Sequence, residues 1–274
     1  MIRDRVLRGE VAEAARVLAR LGLVTAFGHV SARAGDSMLI TPAADLAGVT
    51  AASVIEAPLA VRALPAGAPA EAWAHLALYR ARPDAEAIAR AQPAAAFAVA
   101  AVTTAMVPVH GQAAWLGESV PVYDDAALLR SADRAERAAS CLPAGEALLL
   151  RGNGALTLGA TPGLAVARMW LLAAACDVYL SALAASGASP VTTLSDGEIA
   201  SWRAVGGELL PRLWEHLRSG PGPAGPGSAG PGPGEEQGQG QPGDHRRPPA
   251  PRVMPLDLRE EREPHGGAPD REQA

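Results

Sequence analysis

The chain has 274 residues, is 49% apolar and 19% charged, and carries a formal net charge of -5. That is enough apolar material for one or two domains with a sizeable core, while the acidic balance and 4% aromatic content exclude a basic nucleic-acid face and a base-stacking platform. All 24 basic residues are arginine, so a lysine Schiff base and a P-loop lysine are excluded too.

The N-terminus, MIRDRVLRGEVAEAARVLARLG, is amphipathic and charged and lacks an apolar signal-peptide core. Its apolar spacing (Val6, Val11, Ala14, Ala15, Leu18, Leu21) predicts a helix over 3–21, with Gly22 as its stop. LVTAFGHVSAR follows, with Gly28 at a turn and His29 beside it, and then MLITPA, a short strand closed by Pro42. A second helix is predicted over 70–80, a strand from 87 into ARAQP, a helix over 94–103, apolar strands within 107–123, and a helix over 126–140. EALLLRGNGALTLG reads as two strands joined by a Gly-Asn-Gly turn. Pro162 opens a long helix to about residue 186, and Ser195 with Glu198 three places on forms a capping box for a last helix to about 218. The most apolar segment, 164–185, contains Arg168 and Asp177, so a buried helix explains it better than a membrane span. Cys141 and Cys176 form no CxxC pair, and Cys176 in its apolar helix reads as a buried thiol.

From Ser219 to Gly243, 16 of 25 residues are Gly or Pro, a composition that does not offset chain entropy by burial. Residues 219–274 are therefore expected to be a disordered tail, with VMPLDL (253–258) read as part of the solvated tail in preference to a small docking segment. Residues 1–218, with strands alternating with helices, are expected to form one α/β domain. The expected location is the cytoplasm, with no membrane partner.

Five segments in order, GLVTAFGHVSAR (22–33), MLITPA (38–43), EAWAHLALYRARPDAEAI (71–88), LLLRGNGALTLG (148–159) and PVTTLSDGEIA (190–200), resemble the class II aldolase/adducin family over about residues 5–205. The resemblance implies a central, mainly antiparallel sheet flanked by helices, and a homo-oligomer, usually a tetramer, with sites between subunits. In the sugar-phosphate aldolases of this family, zinc held by a His-x-His pair and a later histidine polarises the carbonyl, and a glutamate moves the proton. That glutamate matches Glu71, with His75 four residues on and on the same helix face. The zinc positions read Arg90-Ala91-Gln92 and Asn153, none of them a family ligand. No cofactor is expected on this pattern, a divalent metal only through a non-family site. Pro69 and Ala70 replace the serines that hold phosphate, and His29 stands where the loop usually has asparagine. The GHVSAR form resembles branches such as decarboxylases of oxygenated aromatic acids.

On this resemblance the expected catalytic residues are Glu71, His29 and Arg90. Gly28, His75, Gln92, Arg151 and Asn153 are expected to contact a small carboxylate substrate. Each has a plain alternative: a helix-start carboxylate for Glu71, a packed core residue for His75, a neutralising partner of Glu71 for Arg90, and turn chemistry for Asn153. Tyr123 and Asp124 match a segment that closes the pocket wall in relatives, and His110 reads as structural. Three functions stay open: a carbon–carbon lyase of decarboxylase or aldolase type acting on a small oxygenated carboxylic acid without zinc, a non-catalytic adducin-like scaffold, and an oxygenase with a rebuilt His29/Glu71/His75 non-haem metal site.

Overall fold

The structure, a computed structural model, describes residues 2–220. The expected tail, including VMPLDL, His245 and His265, lies outside the described residues from 221 onward. Eight strands form one sheet in the order β3-β2-β1-β4-β8-β7-β6-β5. They are β1 (His29–Ala34), β2 (Ser37–Ile40), β3 (Ile55–Pro58), β4 (Ala87–Ala91), β5 (Ala105–Met106), β6 (Val120–Tyr123), β7 (Ala147–Leu150) and β8 (Gly154–Gly159). Every pairing is antiparallel except β6 with β7, so the expected mainly antiparallel α/β architecture is the observed one.

Strand alternation divides the core in two. Val30, Ala32, Ala87, Ala89, Ala91, Leu149 and Ala155 face a layer made by α1 (Ile2–Arg20), α3 (Ala94–Val102), α5 (Pro162–Ser186) and α6 (Asp196–Ser219). Ile88, Leu148, Leu150, Leu156 and Leu158 face the other layer, made by α2 (Ala72–Ala81) and α4 (Ala132–Ser140). The run of alanines on the first face lets α5 lie close to the strands. A Cβ on Gly159 would meet the backbone N of Ala165 at 2.4 Å. This packing accounts for the apolar stretch of α5, whose residues from Pro162 to Cys176 are largely buried in the core. Burial pushes the Cys176 thiol up to about 12.

Several boundaries differ from the periodicity. Residues 126–131 are not helical: the Asp125 carboxylate accepts from the Ala127 N–H, and Ser131 is extended as the N-cap of α4. Within 107–123 only β6 is a strand, and Gly111–Leu116 is a 3-10 helix whose buried Trp115 and Leu116 carry the apolar signal. The edge strand β3 and the turns Leu46–Gly48 and Ala51–Ser53 are too short to show a period. Gly28 leads into β1 and is required for close approach: a Cβ there would sit 2.3 Å from Val24 Cγ1 and 3.1 Å from the Arg90 carbonyl. The Gly-Asn-Gly turn is as expected, with positive φ at Gly152 and Gly154, and so is the Ser195–Glu198 capping box.

Candidate functional site

The face of the sheet under α2 brings the polar residues together. His29 and Arg90 are direct cross-strand partners on β1 and β4. Both point toward α2, because they alternate with residues of the opposite core. Asn153 reaches the same place from the β7–β8 turn: its Oδ1 accepts a hydrogen bond of 2.6 Å from Arg90 Nη2. Glu71 is the N-cap of α2, and His75 is one turn further along the helix. His29, His75, Arg90 and Asn153 are all buried, and Glu71 is 9% exposed.

Arg90 is 2% exposed, yet Glu71 is not its ion-pair partner. The Glu71 carboxylate instead accepts from Arg130 Nε at 2.9 Å. Burial alone would raise the Glu71 pKa. The Arg130 hydrogen bond, a backbone N–H and the charges of Arg90 and Arg130 outweigh burial and hold the carboxyl below its ordinary value. Burial, reinforced by the Arg90 charge and opposed by Glu71, lowers His29 to about 4, so its imidazole is neutral at pH 7. Burial, with His29 and Arg90 adding to it, holds His75 well below its ordinary value. Burial also disfavours the charge on Arg90, and Glu71 opposes that. Four of the six unpartnered buried side-chain nitrogens among the described residues belong to this group: Arg90 Nε, Asn153 Nδ2, His29 Nδ1 and His75 Nε2.

Over this layer opens a cavity of about 410 Å³. His29, Glu71 and Arg130 supply its polar wall, Ala26, Phe27, Ala43 and Pro69 are apolar, and Asp45 stands at the rim. Arg90 lies beneath this lining. The charged lining residues are Asp45, Glu71 and Arg130, and the buried Arg90 adds a second positive charge behind them.

Residues 9–180 match the family described as the Class II Aldolase and Adducin N-terminal domain. The chain belongs to the class II aldolase and adducin family. It is similar to human β-adducin, 32% identical over 113 residues, which is 41% of this chain and 16% of β-adducin. It is also similar to the 4-hydroxy-3-prenylphenylpyruvate oxygenase/4-hydroxy-3-prenylbenzoate synthase of Streptomyces roseochromogenus subsp. oscitans, 33% identical over 118 residues, 43% of each protein. These alignments span less than half of either relative. The fold is that of L-fuculose-1-phosphate aldolase from Thermus thermophilus, at TM-score 0.61 and 27% identity, covering 69% of this chain and all (100%) of that one.

Of the site residues expected for a class II aldolase relative, Glu71, His29, Arg90, His75 and Asn153 converge. Gly28 supports the group from below, through its approach to the Arg90 carbonyl. Gln92 lies just past the end of β4, half-buried against the Gly154 turn. Arg151 stands apart: it pairs with Asp124 and lines a separate groove with Val122 and Thr104. A hairpin turn sends neighbouring side chains in different directions, and only Asn153 turns inward. Tyr123 is buried, with its hydroxyl on Asp125. Arg130, which pairs with Glu71, is missed by sequence reasoning. It lies 59 residues away in a segment with helical composition and carries no local signal. No group of three His, Cys, Asp or Glu side chains able to hold a metal ion occurs among the described residues.

Proposed function

We propose that this protein binds a small oxygenated carboxylic acid in the cavity over Arg90 and acts on it as a carbon–carbon lyase of the decarboxylase or aldolase kind, without zinc. The observation that carries the reading is the Arg90 charge, buried on the α2 side of the sheet with only a neutral amide for a partner. A buried charge without an ionic partner is costly, and a bound carboxylate or enolate supplies the missing negative charge. The orphaned Nε of Arg90 and Nδ2 of Asn153 are donors, which suits an oxyanion and not a cation. The family's divalent ion does not fit this donor set: a guanidinium has no lone pair to offer, and Gln92 and Asn153 bring only neutral amides.

In the decarboxylase form, a carbonyl oxygen β to the carboxylate, or conjugated to it as in the keto form of a hydroxyaromatic acid, faces Arg90. The bond to the carboxyl carbon breaks, carbon dioxide leaves, and the electron pair passes to that oxygen as an enolate held by the guanidinium. A proton then returns to carbon from Glu71 or His29. Glu71 is ionised and His29 neutral in the free protein, so the proton arrives with the acid or from solvent. A second anion beside either group raises its pKa and lets it carry that proton.

Similarity to β-adducin and the neutralised Glu71 favour a second reading, in which the same cavity binds an acid and performs no chemistry. The oxygenase form, read from a rebuilt His29/Glu71/His75 site, has less support, since these three do not form a three-ligand group among the described residues, although the Streptomyces relative's name includes an oxygenase. The test is a panel of 3-oxo, 4-hydroxy-2-oxo and hydroxyaromatic acids against the purified protein after exhaustive chelation, following thermal shift and product. Stabilisation with chelator-resistant turnover is expected. Stoichiometric zinc, or turnover abolished by chelation and restored by metal, overturns the metal-free lyase. Binding without turnover transfers the case to the second reading.

A further inference from the structure

Beneath the cavity runs a buried chain of three hydroxyl and imidazole groups that the lyase chemistry does not use. Tyr79 Oη lies 2.8 Å from Ser31 Oγ, and Ser31 Oγ lies 2.7 Å from Nδ1 of His75. Ser31 and His75 are each 0% exposed and Tyr79 is 1%. The direction of the hydrogens follows from counting acceptors. The Tyr79 hydroxyl has no hydrogen-bond partner but Ser31 among the described residues, so it donates to Ser31 Oγ. The Ser31 hydrogen then has one acceptor left, the lone pair on His75 Nδ1. The reverse direction would bury the tyrosine O–H without an acceptor, an unmet donor that folding disfavours. Arg33 holds the start of the chain in place: its guanidinium stacks 4.9 Å over the Tyr79 ring and donates to the carbonyls of Tyr79, Arg82 and Ala85.

We propose that Tyr79 and Ser31 lock His75 in the tautomer that carries its hydrogen on Nε2, making His75 a third donor, neutral like Asn153 and added to the charged Arg90, for the oxyanion of the bound acid. Nε2 of His75 is itself buried and unpartnered, and the His75 and His29 rings stand nearly perpendicular with centroids 6.4 Å apart. His75 thus carries a buried N–H without a partner at Nε2, and not an orphaned lone pair. Tyr79 and Ser31 act through His75 and are positioning residues.

The role toward the acid rests on the carboxylate reading, while the tautomer does not. The experiment therefore has two parts. Long-range nitrogen–proton NMR on the full-length, nitrogen-15-labelled protein reads which ring nitrogen of His75 is protonated, with His75→Gln supplying the assignment. Calorimetry with 4-hydroxybenzoate as the probe reads affinity in the wild type and in Tyr79→Phe. The expected result is an Nε2–H imidazole in the ligand-free wild type. In Tyr79→Phe that signature shifts toward Nδ1–H, and 4-hydroxybenzoate binds about tenfold more weakly, as loss of one oriented donor implies. An Nδ1–H imidazole in the wild type overturns the lock, with no variant needed. A Tyr79→Phe protein that folds and keeps both the tautomer and the affinity overturns it as well. If 4-hydroxybenzoate does not bind the wild type while the Nε2–H signature is present, the proposed donor role falls with the carboxylate reading, and the lock alone stands.

Discussion

Replacing Arg90 with methionine separates a residue kept for binding from one kept for folding. Arg90 is 2% exposed and meets Asn153 Oδ1, while Glu71 is already taken by Arg130. Exchanging buried charge for apolar volume is neutral to stabilising by about 1–4 kcal/mol in proteins where it has been done. Against that stands the lost hydrogen bond to Asn153, worth about 1 kcal/mol. The expected net change therefore runs from about 1 kcal/mol against the variant to about 3 kcal/mol in its favour. For a domain of this size that lowers the Tm by a few degrees at most or raises it by up to about 10 °C. Carboxylate binding should move the opposite way. Loss of a charge-assisted contact of about 1.5–3 kcal/mol weakens affinity by about ten- to a hundredfold. The assay is thermal unfolding with and without an acid that stabilises the wild type, since a ligand that binds only the folded state raises Tm by mass action. A methionine variant that unfolds many degrees earlier and still responds to the acid would refute the reasoning, because Arg90 would then be a structural neutraliser and the anion would sit elsewhere.

His29 makes acid stability measurable. Its folded value of about 4 lies below the unfolded value near 6.5, so its contribution is fully present above pH 6.5 and is lost as pH falls toward 4. The total is about 3 kcal/mol, and a His29→Gln protein should show a visibly flatter urea midpoint against pH across that window. Equal slopes would place His29 in solvent. Glu71→Gln removes a negative charge from the cavity wall and the proton carrier together. Acids should bind the variant more tightly while turnover falls by at least about a hundredfold, and unchanged turnover would remove Glu71 from the chemistry. The stability change should stay within about 1 kcal/mol, because the Arg130 side of the pair is more than half exposed. Gly154→Ala places a Cβ 2.2 Å from the Ala91 carbonyl at φ 86°, and should cost at least about 2 kcal/mol in chemical denaturation and blunt acid binding through Asn153. A protein of wild-type stability would mean that the turn relaxes freely.

Local chemistry in the chain determined much of this protein. The long amphipathic and apolar periods set α1 and α5, a capping box set the start of α6, and glycines flanking Asn153 set the hairpin. These signals survive because each is satisfied within a few residues, by backbone geometry or by one apolar face. The resemblance of five segments to the class II aldolase/adducin family picked out Glu71, His29, Arg90, His75 and Asn153. What they do to one another was decided only by the tertiary structure. Nothing near residue 71 in sequence indicates that Arg130 takes its carboxylate and leaves Arg90 unpaired, or that Tyr79 and Ser31 meet His75 across α2 and β1. Nor does the turn sequence say that Asn153 faces inward while Arg151 goes to Asp124. Charge balance, hydrogen-bond direction and burial depend on distances between residues far apart in the chain, and the sheet register and the packing of α2 and α4 over it set those distances.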